Sequence, residues 1–149
     1  MKKLSLLVIL VVIGVSGAFA QIFQPVKWQF AAQKVNDKEA VIYMRAKIDP
    51  GWHIYSLNVA DGGPIKTSFT FTPSADFSLV GKTTEPKPKT KYEDVFGMDV
   101  SYFNDEVVFS QKVRLNKGQT TVRGVVEFMA CDAEQCLPPD EYAFAVPIN

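Results

Sequence analysis

Polar and apolar residues alternate with a period of two along much of the chain. Between Glu39 and Ile48, the residues Ala40, Ile42, Met44, Ala46 and Ile48 fall on one face, and Val41, Tyr43, Arg45 and Lys47 on the other. Successive side chains of a strand point to opposite faces, so this pattern predicts a strand with one side buried. Lys66 to Thr72, rich in Thr and Phe, reads the same way. Asp99 to Leu115 predicts a hairpin, in which Val100 to Phe103 and Val107 to Leu115 flank a turn at Asn104-Asp105-Glu106. Gln119 to Ala130 is a further strand, entered through Asn116-Lys117-Gly118, and the alternation from Glu141 to Ile148 closes the chain. Val26 to Val35, Trp52 to Leu57 and Phe77 to Val80 are weaker strand signals. No segment carries a capped helical stripe. About seven to nine short strands with turn signals between them predict an all-β, immunoglobulin-like β-sandwich. The immunoglobulin Cys…Trp…Cys spacing is absent, and there is no internal repeat.

Two connections stand apart from this pattern. Asn58 to Lys66 holds Asp61-Gly62-Gly63-Pro64, a turn by composition. Glu85 to Glu93 carries two prolines with Lys87, Lys89 and Lys91, and Lys82 lies just before it. Taken alone, it reads as an extended, solvated surface connection.

The first twenty residues follow a different rule. Lys2 and Lys3 precede an apolar run from Leu4 to Val15, and Ala18-Phe19-Ala20 supplies the small-x-small pattern of a cleavage site. This is the form of a signal peptide, residues 1–20, with the mature domain expected over 21–149. The run is shorter than the ~20 apolar residues of a membrane span. No Cys follows it for lipid attachment, and no second apolar segment occurs, so no membrane span is expected in the mature chain. Removal of Lys2 and Lys3 from 16 basic residues, against 16 acidic ones, leaves the mature domain two charges acidic. That balance gives no support to nucleic-acid binding, which calls for a basic face.

Export changes the meaning of the two cysteines, because it carries them to a compartment where disulfides persist. Cys131 and Cys136 enclose Asp132-Ala133-Glu134-Gln135, and Leu137-Pro138-Pro139 follows. A tight turn brings two such residues within the ~7 Å between Cα atoms that bridging requires. The prolines stop the exit from continuing as a regular ladder strand. A small ring is a weak staple, since a loop of 15 residues is worth only ~3 kcal/mol and a shorter one less. Small exposed disulfides suit attack by a partner thiolate. On spacing alone, a redox role and a passive staple both stand. Two cysteines and the distant His53 do not form a four-ligand zinc set, so no metal and no cofactor are expected. A lone histidine in the aromatic run Gly51-Trp52-His53-Ile54-Tyr55 is ordinarily a packing or hydrogen-bonding residue. The adjacent carboxylates Glu93-Asp94 and Asp105-Glu106 would face opposite sides of a strand, which leaves hydrolase chemistry little support.

The run Cys131 to Pro139 resembles the redox hairpin of the N-terminal periplasmic domain of DsbD, the thiol:disulfide interchange protein. Lys47 to Tyr55 is similar to that domain's early aromatic strand, Tyr92-Glu93-Asp94-Val95-Phe96-Gly97 to its acidic-aromatic cap loop, and Glu106 to Leu115 to the strand after the cap. The resemblance spans Val26 to Ile148 and rests chiefly on the cysteine hairpin with its double proline. It implies an immunoglobulin-like sandwich carrying a redox-active pair. Electrons would arrive from a membrane thiol transporter or a thioredoxin-like domain and pass to periplasmic acceptors such as disulfide isomerases and cytochrome c maturation proteins. Cys136 would form the mixed disulfide and Cys131 would resolve it. Glu93, Asp94, Val95 and Phe96 would cap the disulfide until a partner displaces them, with His53 and Tyr55 beside the cysteines.

Three departures qualify the likeness. The cysteine spacing is one residue shorter than in the best-known members. Val95-Phe96 stands where two aromatics are expected, so shielding would fall to Phe96. The family's membrane and C-terminal thioredoxin domains have no counterpart in the chain, which predicts that separate polypeptides supply them or that the partner differs. The competing expectation is a non-catalytic immunoglobulin-like binding or envelope-assembly module with a structural disulfide.

Overall fold

A computed structural model describes residues 23–149 of the chain; the expected signal peptide lies outside the described residues. Eleven strands follow one another: β1 Val26–Asn36, β2 Glu39–Ile48, β3 His53–Tyr55, β4 Ser68–Phe71, β5 Phe77–Thr84, β6 Lys89–Glu93, β7 Met98–Asn104, β8 Glu106–Leu115, β9 Thr120–Phe128, β10 Ala130–Cys131 and β11 Asp140–Ile148. They pair as β1-β2-β8-β5, β10-β3-β7-β6 and β11-β9-β4. All ladders are antiparallel. The architecture is the all-β, immunoglobulin-like sandwich that the strand pattern predicts.

The alternation in β2 is realised residue by residue, with Ala40, Ile42, Met44, Ala46 and Ile48 all buried. β8 repeats it with Val107, Phe109, Gln111, Val113 and Leu115. Gln111 is the polar exception, and its amide is satisfied where it lies. Nε2 donates to the carbonyls of Val80, Gly81 and Lys112, and Oε1 accepts from Thr83 Oγ1. A buried amide with its bonds made avoids the desolvation penalty of an orphan group.

The sheets β1-β2-β8-β5 and β11-β9-β4 close over one another around Trp28. Its indole lies 5.8 Å from the Phe69 ring, 6.1 Å from Phe109 and 5.5 Å from Phe128. Phe30 and Phe144 stack at 4.6 Å between β1 and β11. Gly124 in β9 permits the close packing here, since a Cβ would stand 2.5 Å from the Thr70 carbonyl oxygen and 2.6 Å from the Phe144 ring.

Three expectations are corrected. Asp99 to Leu115 does not form a paired hairpin. β7 ladders with β3 and β6, whereas β8 ladders with β2 and β5. Between them Asp105 adopts φ +64°, and its carbonyl accepts from Ile48 N at 2.8 Å. An aspartate tolerates this left-handed conformation better than most residues, so the segment read as a hairpin turn is instead a corner at which the chain changes sheet. The Lys/Pro stretch is not merely a solvated connection either. Its second half is β6, paired with β7 from Lys89↔Tyr102 to Glu93↔Met98. A similar corner at Met129 carries the chain from β9 into β10, so the strand expected over Gln119 to Ala130 is split between two sheets.

Candidate functional site

The cysteine hairpin begins where β9 ends. Cys131 and Cys136 face each other as an isolated antiparallel bridge. Asp132 N donates to the Gln135 carbonyl and Leu137 N to the Ala130 carbonyl, both at 2.9 Å. These two bonds flank the cysteine pair, which makes it the narrow, non-hydrogen-bonded kind of cross-strand pair, where Cα atoms approach closest. The Cα atoms are 4.0 Å apart and the sulfurs are bonded. The turn between them is held by Asp132, whose Oδ1 accepts from both Glu134 N and Gln135 N at 2.8 Å. Those backbone donors keep the Asp132 carboxyl below the usual carboxylate range.

The two sulfurs have unlike surroundings. Cys131 is 2% exposed and packs with Tyr55 and Val100, with Val59, Met98, Tyr102 and Met129 around them. Cys136 is exposed. It opens on a cleft of about 440 Å³ whose opposite wall is Lys91, Glu93, Asp94, Val95 and Phe96. The expected cap residues are thus the turn of the β6–β7 hairpin. Phe96 N and Gly97 N both donate to the Glu93 carbonyl, and Gly97 takes φ +65°. Phe96 is half-buried, while Val95 is 87% exposed and directs its side chain to solvent.

β3 supplies the floor. It pairs His53 with Cys131 and Ile54 with Ala130. Paired residues share a face, so the imidazole stands on the cysteine side of the sheet, with Tyr55 two residues along on that face. The Tyr55 hydroxyl reaches both Glu93 oxygens, at 3.2 and 3.1 Å, and lies 3.3 Å from His53 Nε2. Lys91 Nζ is 2.9 Å from Glu93 Oε1 and 3.2 Å from His53 Nε2. It also lies 4.9 Å from the centre of the Tyr102 ring, which stands edge-on to the imidazole.

The charges follow from this packing. Burial first, and then the neighbouring Lys91 ammonium, push the His53 pKa down, against the pull of Glu93 and Asp132. His53 is therefore neutral near pH 7, and its Nε2 accepts from Lys91. Burial, then the Glu93 charge and its hydrogen bond, hold the Tyr55 phenol far above its ordinary range, so it stays a donor. Burial of Glu93 opposes ionisation, but the bonds and charge of Lys91, with Tyr55 and His53 behind them, outweigh it and hold the carboxyl down.

The structure thus brings Cys131, Cys136 and the segment Glu93 to Phe96 together around one cleft, with the buried His53 and Tyr55 behind its lining. In the sequence, Lys91 falls in what reads as a solvated connection, and neither Tyr102 nor Val100 stands out as a site residue. The available signal for Lys91 was its place two residues before Glu93, which on a strand puts both on one face. No cluster of three or more His, Cys, Asp or Glu residues suited to a metal occurs among the described residues.

A family model for the N-terminal region of the thiol:disulfide interchange protein DsbD matches residues 20–147. The fold is shared with solved structures, among them the following three. The DsbD N-terminal domain of Neisseria meningitidis in its reduced form has a TM-score of 0.55 at 18% identity, covering 82% of this chain and 86% of that one. The complex of the DsbD N-terminal and PilB N-terminal domains from the same organism gives 0.56 at 18%, covering 84% and 87%. The N-terminal periplasmic domain of ScsB from Proteus mirabilis gives 0.57 at 20%, covering 80% of this chain and 44% of that one. No curated protein sequence matches the chain.

Proposed function

The chain belongs to the family of the N-terminal domain of the thiol:disulfide interchange protein DsbD, and from that premise we propose how it exchanges electrons, through Cys136 as the attacked sulfur and Cys131 as the leaving one. The family is one of periplasmic thiol–disulfide exchange modules. The observation that carries the assignment of roles is the unlike exposure of the two sulfurs, one buried at 2% and the other open to the cleft.

A partner thiolate approaches in line and attacks Cys136 Sγ. A sulfur–sulfur bond forms to the partner, the Cys131–Cys136 bond breaks, and the electron pair leaves on Cys131. The partner's second thiolate then attacks its own sulfur in the mixed disulfide and releases Cys136. The partner ends oxidised to a disulfide, and this domain ends with two thiols after taking up two protons. In reverse, the Cys136 thiolate reduces an acceptor. The acidic turn at Asp132 and Glu134 does not favour a thiolate on Cys136, so the partner brings the activated sulfur. Glu93, Asp94, Val95 and Phe96 stand as the cap over the approach path, and His53 and Tyr55 brace the buried sulfur.

Thioredoxin-like domains and a membrane thiol transporter are the reductants this reading calls for, with disulfide isomerases or cytochrome c maturation proteins as acceptors. A DsbD N-terminal domain in complex with a PilB N-terminal domain supports a protein partner. Cleavage after Ala20 would deliver the domain Gln21 to Asn149 to the periplasm.

The test is a trap. With Cys131→Ala, a thioredoxin-like domain that lacks its resolving cysteine and carries its remaining cysteine as a mixed disulfide with an aryl thiol is expected to form a stable adduct through Cys136 as the aryl thiol leaves, read by mass spectrometry. No adduct with any such domain would overturn the mechanism. A reduction potential below about −300 mV would mark the pair as a structural staple instead.

A further inference from the structure

Exchange through Cys136 creates an anion in an awkward place. The electron pair lands on Cys131, which is 2% exposed, and the Glu93 carboxylate, 13% exposed at its side chain, lines the same cleft. Two anions in one poorly solvated site disfavour each other. The cap needs this carboxylate, since Glu93 anchors the turn to the floor through the Tyr55 hydroxyl.

Among the described residues, one cation lines the same cleft. Lys91 Nζ touches both Glu93 Oε1, at 2.9 Å, and His53 Nε2, at 3.2 Å, and these two atoms are 3.4 Å from each other. Its position is fixed from several sides. The Tyr102 ring on β7 lies 4.9 Å away, the β6–β7 ladder sets Lys91 opposite Val100, and His53 is itself locked across from Cys131 by the β3–β10 pairing. The charged and titratable groups facing this cluster are Glu93 on β6, Tyr55 on β3, Tyr102 on β7 and Asp132 beyond β10, and Asp94 and Glu134 line the same cleft farther out. Lys91 is the sole cation among the residues that line the cleft. Nearby Lys89 is turned elsewhere, with its Nζ on the Asn104 side chain at 2.7 Å.

We propose that Lys91 is a positioning residue for the exchange: its ammonium, shared between His53 and Glu93, offsets the cap carboxylate so that Cys131 can leave as a thiolate. The inference deepens the exchange mechanism above and rests on it. Lys91 forms no bond to either sulfur. It acts through Glu93, whose charge it compensates, and through His53, which it orients against the cysteine strand. The electron balance of the exchange is unchanged; what changes is how readily the Cys131–Cys136 bond breaks toward Cys131, because a better-stabilised thiolate is a better leaving group.

The test separates charge from scaffolding. In a reduced Cys136→Ala protein, Cys131 is the sole thiol, and its ionisation is followed by ultraviolet thiolate absorbance against pH. Lys91→Met is expected to raise the titration midpoint by about one pH unit. In the protein with both cysteines, it is expected to slow reduction of the disulfide by a small dithiol about tenfold. Lys91→Arg restores both. Adding Glu93→Gln to Lys91→Met brings the midpoint back down, since the uncompensated carboxylate is gone. If Lys91→Met does not fold, Lys91→Gln carries the same expectation. A folded Lys91→Met protein with an unmoved midpoint would overturn the proposal. A disulfide that the small dithiol reduces and no thioredoxin-like domain attacks would sink the partner mechanism instead, and leave the Lys91 titration standing.

Discussion

The sheet β1-β2-β8-β5 and the sheet β10-β3-β7-β6 use burial for different ends. In the first, Ile42, Met44 and Phe109 are fully buried, and Gln111 is the one buried polar side chain on its strands. In the second, His53 and Tyr55 are buried with Glu93 and Lys91 bonded between them, directly beside Cys131. The first sheet has ladders of nine and ten pairs. In the second, β10 holds on to β3 by two. A network of buried polar groups adds little net stability, because desolvation offsets much of the attraction. The long sheet and the Trp28 cluster therefore carry the fold, and the short sheet is free to hold groups chosen for chemistry.

The largest effect is expected in the core. Phe109→Ala removes a fully buried ring that packs on Trp28, Phe69 and Phe103. It is expected to cost about 3–5 kcal/mol in urea unfolding and to leave the thiol-exchange rate of the folded protein unchanged. A slowed exchange in protein still folded would show that the two regions are not separable.

The milder test is acid. The folded-state pKa of His53 lies below its ordinary value of 6.5, so the unfolded chain takes up this proton first as pH falls. The stability tied to neutral His53 is present above pH 6.5 and is lost as pH drops from there toward the folded value. Glu93, also held below its ordinary 4.5, loses its contribution in the same direction but lower. Thermal unfolding against pH should therefore show a decline that begins near pH 6.5. His53→Gln should flatten the stretch between 6.5 and 4.5 and leave the lower part. An unchanged profile would mean that the short sheet does not carry this cost.

The smallest effect belongs to the solvent side of the long sheet. Arg45 and Glu106 pair across β2 and β8, with side chains 47% and 43% exposed. Arg45→Ala is expected to cost less than about 1 kcal/mol, since exposed ion pairs are screened. A larger loss in a melting experiment would move part of the fold's support to its surface.

The sequence made β2 and β8 legible because each buries one face, and burial writes itself as alternation; β1 and β5 bury less and give weaker signals. The cysteine hairpin was legible for a local reason too, in the short spacing and the prolines at its exit. What the sequence left unread depends on the partner strand. β6 looks like a lysine-rich connection because, as an edge strand beside the cleft, it has little apolar area to show. Lys91 became part of the site only when β7 and β3 were placed next to it. The corner at Asp105 carries the composition of a hairpin turn. Nothing local says whether the chain will fold back on itself there or step to another sheet; that is decided by the pairing of β8 with β2.

The two corners also bear on transplantation. The redox pair sits on no autonomous segment, because β7 runs on into β8 at Asp105 and β9 runs on into β10 at Met129. A loop graft of Cys131 to Pro139 would therefore carry the sulfurs away without the sheet that makes them unlike. The smallest portable unit is a pair of through-going strands with their bends, and a host must already own the long halves.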